Sequence, residues 1–260
     1  MSAGGGFTLS AHKEALTLSD RLLYAPTSRV FRTPRGQPAI MHYRLETSDY
    51  NTLNSAMDED EYKLAALSSL AGTAADIGAH IGAVGIGLAL DHPDLRVICV
   101  EPVPENADLL QRNVAENGLT GRVTVLQRAA ASPEHETTLV RWRYRGSELL
   151  DHHAFIGNAS LVEGTGVADA IHESEQVACV SISGLIAEYG PLRFLKIDCE
   201  GCEWSALADP AVADVPLIKG EWHPTAGKTQ ADLVALLGAT HVLSFSGPLE
   251  GPQEFTAVRR

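Results

Sequence analysis

Three short strings in this 260-residue chain place side chains where chemistry can use them. The first is Asp76-Ile77-Gly78-Ala79-His80-Ile81-Gly82, which reads as a strand running into a glycine turn and then a helix. Gly78 lets the backbone turn tightly, Ala79 is small, and Gly82 lets the helix pack close to the strand. Amide groups at the helix start can face a ligand carboxylate. A pyrophosphate cradle would need G-x-G-x-x-G, and His80 stands where the middle glycine belongs. A nicotinamide dehydrogenase therefore fits poorly. Histidine tolerates a left-handed backbone better than most residues, so the turn can survive. Asp76 suits a cationic sulfonium–amino acid ligand better than a diphosphate.

The second string, Glu101-Pro102, follows 25 residues after Asp76 at the end of the next strand. A carboxylate there can accept both hydroxyls of a ribose; a plain surface acid is the structural alternative. At the end of the third strand, Gln127, Arg128 and Ala129 take the position of an adenine clasp.

The third string is Leu195-Lys196-Ile197-Asp198-Cys199-Glu200-Gly201-Cys202-Glu203, and Gly220-Glu221-Trp222-His223-Pro224 ends the strand after it. Open α/β sheets bind ligands at strand carboxyl ends, so Asp198, Glu221 and His223 are expected to converge there. His223 is the candidate general base, with Asp198 or Glu221 orienting it or binding the acceptor. The alternative for His223 is a packing residue beside Pro224. A divalent ion such as Mg2+ on Asp198, Glu221 and His223 is a variant the spacing does not require.

Other motifs weigh less. Cys199 and Cys202 form a C-x-x-C, but their acidic neighbours disfavour a thiolate, and Cys99 and Cys179 are singletons that complete no zinc set. Four reduced thiols in a cytoplasm are the simplest expectation. The alternation of arginine and aromatic residues at 141–145 is explained by a strand with Trp142 and Tyr144 inward; a lid gripping an anionic acceptor is the functional option. His152 and His153 are adjacent and point apart, which disfavours joint metal binding.

The elements that must position these residues follow from periodicity. Strands are expected at 73–77, 96–100, 122–126, 194–197, 216–220, 241–245 and 254–258, with helices at 82–90, 104–117, 202–208 and 229–237 between them. Upstream, a helix is expected at 11–23, a strand at 40–45 and a helix at 58–70. Alternating strands and helices imply a mostly parallel sheet covered on both faces. The link between the last two strands is too short for a parallel crossover, so they form an antiparallel hairpin. Residues 1–70 read as an N-terminal arm and cap on the core, and 71–260 as the main domain, interrupted by an insertion at about 131–176 that reads as a lid or binding loop.

Composition bounds the partners. The net charge of −13 repels phosphate backbones, which argues against nucleic acid and for a small-molecule acceptor. The longest apolar stretch, at 81–90, is half a membrane span and holds three glycines. The first ten residues lack a basic start and an apolar block, so no secretory signal is visible and a cytoplasmic location is expected. A homodimer through the N-terminal arm is the expectation for assembly.

The motifs DIGAHIG at 76–82, VICVEPVPENADLLQRNVAENGL at 97–119, FLKIDCEGCEW at 194–204 and the Glu-x-His at 221–223 together resemble the FkbM family of S-adenosylmethionine-dependent methyltransferases. Residues 44–50 and Glu61-Tyr62 look like that family's cap, and the resemblance covers roughly residues 40 to 245. It implies a Rossmann-like class I methyltransferase fold, an α/β architecture whose seven-stranded, mostly parallel sheet has a reversed last strand. It places Asp76, Gly78, Glu101 and Asp198 in the pocket for S-adenosyl-L-methionine. It also implies O-methylation of a hydroxyl on a sugar or specialised metabolite, in natural product biosynthesis. The chain departs from the family's usual asparagine at His80 and from its apolar residues at Cys199 and Cys202. Readings from other classes are a non-catalytic adenosyl- or nucleotide-binding module and a redox protein using Cys199 and Cys202.

Overall fold

The computed structural model describes residues 26–45, 47–143, 172–224, 227–247 and 253–260. Seven strands build the central sheet: β3 (Gly72–Ile77), β4 (Leu95–Val100), β5 (Val123–Leu126), β9 (Leu192–Ile197), β10 (Leu217–Trp222), β11 (His241–Ser246) and β12 (Gln253–Arg259). Their spatial order is β11-β12-β10-β9-β3-β4-β5. Neighbours from β10 to β5 run parallel, while β12 lies antiparallel to both β10 and β11. The expected hairpin at the chain's end is therefore present. Its reversed strand is wedged between β10 and β11 rather than added outside them.

Alternation along the strands feeds two cores. Ala74, Val97 and Phe194 pack on one face, and Ala75, Ile77, Ile98, Leu195 and Ile197 on the other. The helices close both faces. α2 (Ala83–Asp91) and α3 (Pro104–Glu116) follow β3 and β4, and Pro104 opens α3 where its missing N–H costs nothing. α4 (Ile182–Tyr189) starts at a Ser181 side chain that accepts from Gly184 N, and the sequence reading did not foresee it. α5 (Glu203–Leu207) and α6 (Gln230–Leu237) complete the set.

The N-terminal segment differs most from expectation. β1 (Pro26–Arg32) and β2 (Pro38–Arg44) form an antiparallel hairpin, and only β2 was foreseen. Asn113 of α3 accepts from His42 N and donates to His42 O, and Asn117 does the same for Ile40, so the hairpin is fastened to α3 by paired amides. The helix expected over 58–70 is not there. A short helix, α1 (Asp49–Leu53), and a π-turn (Asn54–Asp58) come earlier instead. Asp60 and Lys63 then take left-handed backbones, and the Asp60 carboxylate accepts from Leu64 N and Ala65 N. A side chain that bonds its own local backbone in this way competes with the helix. Leu64, Leu67 and Leu70, spaced three apart as in a helix, serve packing instead: Leu64 is buried, and Leu67 and Leu70 lean on the same core.

The insertion forms a second, three-stranded sheet of β6 (Ala129–Ala130), β7 (Thr137–Arg143) and β8 (His172–Val180), ordered β6-β8-β7. The helix expected at 11–23, the residues Tyr144, Arg145, His152 and His153, and the proposed lid loop lie outside the described residues. Among the described residues, no helix is long and apolar enough to cross a membrane.

Candidate active site

The carboxyl ends of β3, β4, β9 and β10 open onto a cavity of about 300 Å³. Asp76, Gly78, Ala79 and His80 line it from the first turn, and Glu101 and Pro102 from the second. Asp198 and Glu221 line it from β9 and β10. These expected residues converge because each ends a strand pointing the same way. Gly82 stands just behind as the left-handed N-cap of α2. Gln127 and Arg128 are exposed, and Ala129 is buried in β6 against Val103 and Val177. None of the three lines the cavity, because the chain leaves β5 to pair with β8.

The turn divides its amides by position. His80 does take a left-handed backbone, with φ of 50°. However, Gly78 N and Ala79 N both donate to Val100 O, so these amides are not free for a ligand. The amides with no partner inside the helix belong to the first turn of α2, where Ala83 and Val84 border the cavity.

Glu101 is the best-anchored acid of the site. Its Oε2 accepts from His80 N at 2.9 Å, and its Oε1 accepts from Val103 N at 2.9 Å and Asn106 Nδ2 at 3.2 Å. Asn106 Oδ1 accepts from Arg44, which grips buried Asp49 through two guanidinium nitrogens, and Asp49 Oδ1 lies 3.1 Å from His80 Nε2. The ring of contacts thus returns to His80. Burial would raise the Asp49 carboxyl, but the hydrogen bonds from His80 and Arg44 outweigh it and hold the group far below the ordinary range. The N-terminal hairpin is wired in this way to the proposed ribose carboxylate.

Lys196 was not expected at the site, although a lysine inside the apolar run Phe194-Leu195-Lys196-Ile197 was a visible signal. Register sets Asp76 beside it on β3. Its ammonium is almost completely buried, 3.1 Å from Gly78 O, 3.5 Å from Asp76 and 3.7 Å from Asp198. Burial alone would discharge it, but the charges of Asp76 and Asp198 prevail and keep it an ammonium. Neither oxygen of fully buried Asp76 has a hydrogen-bond partner.

The N-terminal segment supplies two further residues, Glu61 and Tyr62. Tyr62 OH donates to Asp198 Oδ2 at 2.8 Å, and Glu61 lines the cavity. Sequence spacing could not reveal this pairing, since 136 positions separate the partners. Burial, then repulsion from Asp198, pushes the Glu221 carboxyl up to about 7. Burial does the same for Glu61 against the opposing charge of Lys196.

His223 sits behind the cavity wall rather than on it. Its Nδ1 donates to buried Glu203 at 3.0 Å, and its Nε2 lies 3.4 Å from Glu200. Burial would lower its pKa, but the hydrogen bond and charge of Glu203, followed by the charges of Glu200 and Asp198, push it up to about 9. The ring is therefore protonated at neutral pH. Donor atoms of Asp198, Glu203 and His223 fall within 4.8 Å of one another, the closest approach to a metal-binding group among the described residues. Both oxygens of Glu203 already accept backbone amides and the imidazole holds a proton, so this donor set is poorly prepared for Mg2+. Cys199 and Cys202 are joined as a disulfide with Cα atoms 5.4 Å apart, which corrects the expectation of four reduced thiols. The tight turn from β9 to α5 brings the two sulfurs together, and Cys99 and Cys179 remain free.

Sheet order, the reversed β12 and a cavity at the parallel strand ends define a Rossmann-like α/β fold of the methyltransferase type. The sequence profile of the methyltransferase FkbM domain matches residues 76–245, and the chain belongs to that family. A curated relative, the ribosomal RNA small subunit methyltransferase G of Nocardioides sp. (strain ATCC BAA-499 / JS614), is 34% identical over 137 residues, 52% of this chain and 51% of the relative. The chain thus matches about half the length of that relative. Among solved structures, the precorrin-6y C5,15-methyltransferase of Geobacter metallireducens GS-15 is 13% identical with a TM-score of 0.44, covering 77% of this chain and 85% of that one. The O-methyltransferase of Bacillus cereus in complex with SAH is 17% identical with a TM-score of 0.42, covering 73% and 74%.

Proposed function

We propose that this methyltransferase uses S-adenosyl-L-methionine to O-methylate a hydroxyl on a small sugar-like or specialised metabolite. The observation that carries this reading is the placement of Asp76, Glu101, Asp198 and Glu221 around one cavity. The residues fit the cofactor. Asp76 offers a buried carboxylate without a hydrogen-bond partner to the ligand's ammonium, and the Glu101 Oε2 retains an acceptor position for a ribose hydroxyl. When bound, the cofactor supplies a methyl group on a sulfonium.

The protein's own task is alignment and proton removal. Asp198, oriented by Tyr62 and Lys196, holds the acceptor hydroxyl. Glu221, with its carboxyl near 7, would take the proton of that hydroxyl and hold it on its own carboxyl group. Glu221 is preferred to His223 as base because His223 already carries its proton. Alignment of this kind is worth about 7–11 kcal/mol, and a positioned base a further 10²–10⁴-fold.

The relative named for ribosomal RNA suggests a polynucleotide acceptor as a second reading. The net charge of −13 and the carboxylates of Glu61, Asp198, Glu200 and Glu221 at the cavity favour a neutral or cationic small molecule instead. In this reading residues 1–70 are the cap, 71–260 the catalytic unit, and the setting is cytoplasmic natural product biosynthesis. Calorimetric titration with S-adenosylmethionine, S-adenosylhomocysteine and NAD(H) is the test. Micromolar binding of both adenosyl ligands and none of NAD(H) supports the reading, and a folded protein that binds neither adenosyl ligand refutes it.

A further inference from the structure

We propose that Glu203 and His223 are positioning residues, a buried carboxylate and an imidazolium that together fix Glu200 and the Asp198 loop at the acceptor end of the cavity. Its catalytic meaning rests on the methyl-transfer reading above, but the charge state does not.

The geometry of Glu203 carries the inference. It opens α5 with its side chain completely enclosed. Its Oε1 accepts from Cys199 N at 2.8 Å and from His223 Nδ1 at 3.0 Å, and its Oε2 accepts from Gly201 N at 2.8 Å. One carboxylate therefore holds both ends of the Cys199–Gly201 turn. That turn needs holding, since Glu200 sits at φ 56°, a left-handed conformation disfavoured for any residue with a side chain. Asp198 and Glu200 on either side of Cys199 both line the cavity, whereas Glu203 and His223 do not.

The charge on His223 follows from what its nitrogens face. Nδ1 meets Glu203 and Nε2 meets Glu200, and an ionised carboxylate only accepts. A neutral ring carries one N–H and could satisfy only one of them; the imidazolium satisfies both. The acids around the ring come from several elements: Glu203 on α5, Glu200 on the preceding turn, Asp198 at the end of β9, and Glu221 two residues back on β10. Lys196 faces the same acids from β9, 3.7 Å from Asp198, and Lys228 lies over Trp204. Trp204 Nε1 donates to His223 O at 2.9 Å, so the backbone beneath the ring is also fixed.

The test is histidine-selective NMR titration of the full, ligand-free chain. Of its 10 histidines, His223 is assigned as the signal missing from His223→Gln. In the wild type that signal is expected to titrate at about 9. Glu203→Gln should bring the midpoint down by at least one unit, towards 6.5. Glu200→Gln alters a partly exposed partner, leaves the turn's clamp in place, and should lower the midpoint by less. A wild-type midpoint at or below 6.5, or the same midpoint in the wild type and both variants, overturns the proposal. Should Glu203→Gln fail to fold, the wild-type value and the Glu200→Gln shift still decide it. S-adenosylhomocysteine binding, measured separately, reports on the methyl-transfer reading and leaves the titration to be judged alone.

Discussion

Glu101→Gln is the sharpest test of how the cofactor is held. A carboxylate has about four acceptor positions. Three of those on Glu101 are taken by His80 N, Val103 N and Asn106 Nδ2, which leaves one on Oε2 beside the cavity. Glutamine keeps the shape but turns one oxygen into a donor and removes the charge. A hydrogen bond to a charged group contributes about 1.5–3 kcal/mol, so losing the ribose bond should weaken binding by about 10- to 150-fold. The assay is calorimetric titration of wild type and variant with S-adenosylhomocysteine, with thermal unfolding run alongside. The control matters because the same oxygens brace the turn, and a misplaced amide would also lower the melting temperature. A variant that melts like the wild type yet binds within twofold of it refutes the assignment of Glu101 to the ribose.

Other outcomes follow from single features. Gly78→Ala would drive a Cβ into the Asp198 carbonyl from a backbone already at φ 72°, and should cost at least about 3 kcal/mol in denaturant unfolding. Arg44→Met leaves Asp49 buried without its main partner and should destabilise by about 3–5 kcal/mol by the same measurement. His223 is raised from 6.5 to about 9, so it stabilises the fold fully below 6.5 and loses that contribution as pH climbs through 9; urea midpoints should fall between pH 7 and 9.5 in wild type, and much less in His223→Gln. Glu61 and Glu221 act at lower pH: their folded values near 7 lie above the ordinary 4.5, so the stability they contribute in acid is lost between 4.5 and 7, and Glu221→Gln should flatten that slope. Thiol alkylation of denatured but unreduced protein should label only Cys99 and Cys179, with all four cysteines labelled after reduction.

What the sequence revealed depended on how local the cause was. Asp76, Glu101, Asp198 and Glu221 could be found because each terminates a parallel strand, and strand ends are set by short-range alternation. His80 could be accepted in the turn because its backbone tolerance is its own. By contrast, Tyr62 reaches Asp198 through tertiary folding alone, and no spacing rule connects them. The helix expected at 58–70 failed because Asp60 captured two backbone amides that the leucine period ignores. His223 was read as a base from its type and position, whereas its charge is set by Glu203, twenty positions away in the chain. The disulfide was missed because weak thiolate chemistry argues against catalysis, not against two sulfurs held together by a turn.

Gly78 and Gly220 have a bearing on ancestry and divergence. A side chain at Gly78 would strike the Asp198 carbonyl, and one at Gly220 would strike the Ile197 carbonyl. Three neighbouring strand ends are thus fused backbone to backbone, and none can drift without the others. A lineage built on this floor cannot acquire new acceptors by reshaping it. Variation is channelled into what surrounds it, above all the N-terminal segment that carries α1 and Glu61. Descendants with different acceptors should therefore differ at that border while sharing the same floor, and exchanging the N-terminal segment between two of them should carry acceptor preference with it.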